Sequence, residues 1–214
     1  MLPEFETTTG IKVTTGAGPS QGNTPDVIGS QLRRGVPADV VIMFREGLDE
    51  LIAEGRIIRG SDVDLAQTPA GVGVRMGTPI PDIRTVEAFE QTLLRATSVA
   101  LPESSTGSYL VKKLFPRLGI AEALASKSSN LEAPAVGRGE AEIAIFPASE
   151  LLNLPGVAYV GPIPEDVRFV SIFSGAIVTG TKEGEAARRL IAFLASDQVA
   201  AALEKAGWSC RRAH

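Results

Sequence analysis

Apolar residues that recur at every second position give way repeatedly along the chain to apolar residues spaced three and four apart, with glycine or proline at most of the changes. A pattern that switches between these two periods predicts alternating strands and helices, and that succession is the mark of an α/β protein. Strands are expected over residues 11–15, 39–43, 72–75, 98–101, 142–146, 157–160 and 168–178. Several of these are near-continuous apolar runs, as strands covered on both faces should be. Among the helices, residues 108–118 carry Leu110, Val111, Leu114, Phe115 and Leu118 on one face and stop at Gly119. Thr85 is placed to cap a helix through Val86, Phe89 and Leu93, residues 47–54 bury Leu48, Leu51 and Ile52, and two last helices follow Gly184 and Ser196.

Two stretches have the composition of crossings between domains. One is Pro69-Ala70-Gly71-Val72-Gly73-Val74 with the proline-rich 78–81 after it; the other is Pro162-Ile163-Pro164 before the long strand through Phe173. They predict a first lobe of residues 1–73 plus 171–214 and a second of 74–170, joined by a hinge of two crossings that lets the lobes close about a ligand.

Composition narrows the chemistry. The 214 residues carry a formal net charge of −4, and aromatics make up 5%. Neither a basic field nor an aromatic platform for nucleic acid is expected. The single cysteine, Cys210, and the single histidine, His214, remove intrachain disulfides, Cys/His zinc sets and Ser–His or Cys–His nucleophile pairs. No apolar run reaches the roughly 18 residues of a membrane span. The opening MLPEFETTTG has no basic stretch followed by an apolar region, so the sequence as it stands reads as carrying no export signal.

What remains is carboxylate, hydroxyl and backbone chemistry. The segment Gly18-Pro19-Ser20-Gln21-Gly22-Asn23-Thr24-Pro25 is expected to lead into a helix near Asp26, with Thr24 or Asn23 as its cap and Pro25 in its first turn. A glycine-rich turn with free hydroxyls before a helix is either a plain cap or an anion site, because the first amides of a helix have no intrahelical partner. Pro102-Glu103-Ser104-Ser105-Thr106-Gly107 lies beyond the carboxyl end of a strand, the usual place for ligands in open α/β sheets, and holds more hydroxyls than capping requires. It matches neither the dinucleotide fingerprint nor a P-loop. Glu87, Glu90, Glu140 and Glu142 read as solvated carboxylates, and Phe146, at the end of an apolar strand, as core or as wall of the ligand cleft.

Taken in order, EFETTTGIKV, GPSQGNTP, RRGVPADVVIM, LDELIAEGRI, VDLAQTPAGVGVR, ALPESSTGSYLVKKLF, GRGEAEIAIFPASELL and EAARRLIAFLAS resemble the molybdate-type periplasmic solute-binding proteins of ABC transporters. The resemblance covers nearly the whole chain. It implies a type II periplasmic-binding-protein-like fold, with two three-layer α/β/α lobes, and an oxyanion held in the cleft by uncharged hydroxyls and amides. By position, Ser20 is similar to the family's first-lobe hydroxyl ligand, with Asn23 and Thr24 beside it. Ser105, Thr106 and the amide of Gly107 resemble the second-lobe anion nest. The chain departs from the family in three ways: the usual first strand and its serine are absent, Phe146 stands where a tyrosine is usual, and there is no export signal.

The expectation is a solute-binding protein rather than an enzyme, taking a molybdate-like oxyanion or a small organic anion. It would have no metal or other cofactor, an ABC permease as partner, a periplasmic location by resemblance and a homodimer through the incomplete first lobe. Two alternatives are a cytoplasmic or degenerate ligand-sensing relative, and an isomerase-like enzyme using Glu103 or Asp82 as general base.

Overall fold

The computed structural model describes residues 1–22, 24–205 and 208. Asn23, Cys210 and His214 lie outside them. The strands are β1 (Val40–Phe44), β2 (Val63–Arg75), β3 (Val99–Leu101), β4 (Ser128–Asn130), β5 (Ile143–Pro147), β6 (Val157–Pro162) and β7 (Val170–Ile177). The helices are α1 (Leu2–Thr9), α2 (Ile28–Arg33), α3 (Arg45–Ala53), α4 (Val86–Arg95), α5 (Ser105–Tyr109), α6 (Phe115–Arg117), α7 (Ala121–Ala125), α8 (Pro134–Arg138), α9 (Ala148–Leu151), α10 (Gly184–Leu194) and α11 (Asp197–Lys205). The strand order is β1-β7-β2-β5-β3-β4, with β6 also pairing β2. The chain forms two compact units, Met1–Gln67 with Ile172–His214, and Thr68–Ser171. The break falls inside the long strands β2 and β7.

In the first unit β1 pairs β7 antiparallel, Val40 opposite Ile177 through Phe44 opposite Phe173. Met43, Leu48, Leu51 and Ile57 close a core beneath them. The expected strand over residues 11–15 is not formed. Its amides turn back locally instead: Val13 N–H donates to Glu6 Oε1 at 2.7 Å and Ile11 N–H to Thr9 Oγ1 at 3.2 Å. A strand needs a hydrogen-bonding neighbour. Here a groove of about 790 Å³, lined by residues 11–17, by Val40, Val41 and Ile42 and by Leu2 and Phe5, occupies the space beside the open edge of β1.

In the second unit β3 runs parallel to both β4 and β5, and β2 is antiparallel to β5 and β6. β4 escapes a hydropathy reading because it is three polar residues on an edge. Residues of β5 alternate between two cores: Ile143 and Ile145 pack with Phe89, Leu93, Val99 and Leu114 on one face, Ala144 and Phe146 with Val136, Leu151 and Val157 on the other. Period two with both faces buried is what the apolar run required. The expected helix at 108–118 begins earlier, at Ser105, and its middle, Leu110–Leu114, is a π-helical turn in which Phe115 N–H reaches Leu110 O. Pro116 is the reason, since it has no amide to continue an α-helical ladder and its ring crowds the carbonyl one turn back. Thr85 caps α4 as expected, accepting from Ala88 N–H at 3.1 Å.

Candidate functional site

The register Val99 opposite Ile143 and Ala100 opposite Ala144 makes β3 and β5 parallel neighbours, so the turns leaving their carboxyl ends stand side by side. Ligands collect at such strand ends. The turn after β3 enters α5 with Ser104 extended at the N-cap, and Ser105, Thr106 and Gly107 form the first helical turn. The amides of that turn have no intrahelical acceptor. Gly107 is required by close approach: a Cβ there would sit 2.0 Å from the Pro102 carbonyl oxygen. Thr106 Oγ1 and Ser171 Oγ share a hydrogen bond of 3.0 Å, both residues fully buried. Ser104 Oγ and Ser105 Oγ are buried without a protein partner.

The second turn is built in the same way. Pro147 ends β5 opposite Ala70 of β2, which brings Thr68 beside the start of α9. The fully buried Thr68 Oγ1 accepts the Ser149 N–H at 3.2 Å, and Ser149 Oγ is buried with no partner. Each hydroxyl left unpaired in a folded interior costs about 1–3 kcal/mol. Three of them follow the carboxyl ends of the neighbouring strands β3 and β5 together with free helical amides, neutral donors of the kind suited to carboxylate or oxyanion oxygens.

In the first unit Ser20 Oγ accepts the Phe44 N–H at 3.1 Å, which leaves its own proton free to donate. Gly47 makes room for this loop, since a Cβ there would meet Ser20 O at 2.7 Å. The helix expected to start near Asp26 starts at Ile28, with Val27 as N-cap and no side-chain cap. Neither Thr24 nor Pro25 belongs to it: Val27 N–H closes a turn onto Thr24 O, and Ile28 N–H goes to Pro19 O. Thr24 is exposed and Asn23 lies outside the described residues. Phe146, 2% exposed, takes the core reading.

The carboxylates sort themselves by environment. Two hydrogen bonds from the Arg84 side chain and one from its backbone pull Asp82 down to about 2, a poor setting for a general base. Glu103 is exposed. Glu142 is held below its ordinary value by the Thr97 amide and hydroxyl. Glu150, third residue of α9, is pushed above its ordinary value by desolvation. Like Glu103, Glu150 is exposed. A groove of about 870 Å³ at the opposite, amino-terminal ends of β3 and β5 contains both Asp82 and Glu142, but these are engaged by Arg84 and Thr97.

Sequence reasoning thus singled out the α5 turn and did not single out Thr68, Ser149, Glu150 or Ser171 beside these strand ends. The signal for Ser149 and Glu150 was available: Pro147-Ala148-Ser149-Glu150 follows a strand just as the Ser104–Gly107 segment does.

With this geometry in view, comparison with known proteins is informative. The model of the bacterial extracellular solute-binding proteins matches residues 1–209. The chain belongs to that family. This solute-binding protein is 42% identical over 211 residues to a protein of Pseudomonas sp. named aconitate isomerase, covering 97% of the chain and 80% of that protein. Its fold superposes on the periplasmic molybdate-binding protein of Azotobacter vinelandii with a TM-score of 0.74 at 16% identity, covering 99% of this chain and 93% of that one. The sulfate-binding protein SubI of Mycobacterium tuberculosis gives 0.65 at 20% identity, covering 84% and 71%. The fold is therefore that of the type II periplasmic-binding proteins, as the resemblance implied. The expectation that the chain is not an enzyme is overturned: a relative 42% identical across 97% of the chain bears an enzyme's name.

Proposed function

We propose that this solute-binding protein binds a small polycarboxylate of the aconitate class and interconverts its geometric isomers. The observation that carries the reading is the 42% identity over 97% of the chain with an aconitate isomerase. The site chemistry supports it. Ser104, Ser105, Ser149 and the first amides of α5 offer neutral donors to carboxylate oxygens, and Thr106 with Ser171 fixes that turn. Ser105, Thr106 and Gly107 keep their ligand role in this reading. Isomerisation of aconitate by this route moves one proton from its methylene carbon to its vinyl carbon and needs no oxidant or reductant.

The test is direct. Purified chain is mixed with trans-aconitate and the cis isomer is followed by proton NMR, alongside a thermal-shift series with citrate, molybdate and sulfate. Growth of the cis signal in proportion to protein concentration is expected, as is a rise in melting temperature with aconitate, because a ligand held only by the folded state stabilises it by mass action. A rise with molybdate or sulfate and no interconversion would replace this reading with that of a carrier.

That carrier is the second reading, favoured by the family match and by the fold shared with molybdate- and sulfate-binding proteins. It carries with it an ABC permease as partner and a place outside the cytoplasm. Under either reading the open edge of β1 and the groove beside it favour a homodimer. Sedimentation velocity at micromolar protein is expected to show twice the chain mass, and a monomer across the concentration range would refute this.

A further inference from the structure

We infer that Thr68 and Ser171 are positioning residues for an aconitate-class polycarboxylate, each setting its affinity through the neighbour that the hydroxyl holds, Ser149 for one and Thr106 for the other; this rests on the reading of the ligand given above. Packing alone gives no reason for a hydroxyl at position 68. Residues 66, 68, 70 and 72 share one face of β2. There Ala66, Ala70 and Val72 are buried and apolar, so an apolar side chain at 68 would be buried without needing a partner. Among the described residues the buried polar ones are Thr68, Ser105, Thr106, Ser171 and Ser174. Ser174 bonds to Asp64, whereas the other four belong to the α5 turn or hold one of the two turns.

Each hydroxyl is bonded to a residue that carries or adjoins a candidate donor. The α9 helix spans four residues, far too few to be stable alone, and its Ser149 N–H is taken by Thr68 Oγ1 at 3.2 Å. The residue so fixed carries the unpartnered Ser149 Oγ. In α5 the Thr106 and Ser171 hydroxyls share a hydrogen bond of 3.0 Å. Thr106 stands between Ser105, whose own hydroxyl is unpartnered, and the amide of Gly107. A satisfied buried pair of this kind makes its surroundings rigid.

The two turns are thereby tied to one pair of strands. β2 and β7 are neighbours in the sheet, and beside them Ala70 N–H donates to Phe169 O at 2.8 Å. Thr68 lies two residues before Ala70, and Ser171 lies two residues after Phe169. They are the first and last residues of the second unit. A polycarboxylate that takes donors from both turns depends on the spacing between them, and such donors have to stay within about 0.5 Å of the productive geometry. With either hydroxyl gone, the turn it holds shifts and the ligand loses part of its contacts.

The experiment titrates wild type, Thr68→Val, Thr68→Ser and Ser171→Ala with trans-aconitate by isothermal calorimetry, well below the melting temperature of each, and records their melting curves alongside. T68V and S171A are each expected to bind about tenfold more weakly, the effect of one lost hydrogen bond, while T68S, which keeps the hydroxyl, binds as wild type does. A lowered melting temperature with unchanged affinity would make the hydroxyls structural and overturn the inference. So would a T68S chain as weak as T68V, since the lost methyl group would then be the cause. If T68V does not fold, S171A decides in its place. A wild type without response to aconitate sinks the reading of the ligand, and the same variants are then titrated with molybdate and sulfate, where a tenfold loss supports the positioning role and an unchanged affinity refutes it. A wild type silent toward all three anions overturns both.

Discussion

Replacing Gly107 with alanine is expected to destabilise the chain and to remove its thermal response to polycarboxylates, although alanine favours helix over glycine by about 1 kcal/mol. The two effects oppose each other, and distance decides between them. The added Cβ would lie 2.0 Å from the Pro102 carbonyl oxygen and 3.2 Å from its carbon, both backbone atoms of a buried residue just past the end of β3. Nothing at that contact can rotate away, so the first turn of α5 must move. Such overpacking costs about 1–3 kcal/mol, which for a chain of this size lowers the melting temperature by roughly 2–4 °C per kcal/mol. The movement displaces the amides of Ser105, Thr106 and Gly107 together, so ligand response should fall by more than stability explains. Gly16→Ala is the control: no heavy atom lies within 4 Å of its added Cβ, and its melting curve should match the wild type. An unchanged or raised melting temperature for Gly107→Ala would mean that α5 does not press on the β3 turn.

The difference between residues that the sequence revealed and those it hid follows from what each one depends on. β5 is legible because burial on both faces demands an unbroken apolar run, and the demand is local. Residues 11–15 alternate apolar and polar as a strand would yet form none, because a strand also requires a neighbour and only tertiary structure supplies one. The π turn at Leu110–Leu114 follows from Pro116, which was in plain view, but its register depends on how Leu110 and Leu114 reach the core.

The site divides along the same line. Ser105 and Thr106 stand out because three hydroxyls before an amphipathic helix exceed what a cap needs. Ser171 and Thr68 do not, since each lies in a strand and acquires its meaning from a partner far away in sequence, Thr106 for one and Ser149 for the other. Ser149 is hidden differently: its type and position are common, and its buried hydroxyl is a property of three-dimensional neighbours alone.

Phe146 supplies the sharpest separation of fold from site, and Phe146→Ala is expected to cost about 3–5 kcal/mol, the usual price of deleting a buried aromatic side chain. Two percent of the residue is exposed, and it packs with Ala100, Ala133, Val136, Ala141, Ala144, Leu151 and Val157. Its face is fixed by alternation, since Ile143 and Ile145 belong to the opposite core. A strand buried on both faces has no side chain left for a ligand until it ends, so donors must come from beyond Pro147, where Ser149 and Glu150 stand. The variant's melting temperature should therefore drop steeply, while the aconitate affinity of the molecules that remain folded at low temperature stays within a few-fold of wild type. Phe146→Tyr gives the complementary reading: its hydroxyl would enter an apolar cluster, and an unpaired buried hydroxyl costs about 1–3 kcal/mol. Calorimetric unfolding and isothermal titration on the same preparations separate the outcomes. A stable Phe146→Tyr chain with tighter ligand binding would place this residue in the wall of the site and remove the argument that ligand contacts begin only past the end of β5.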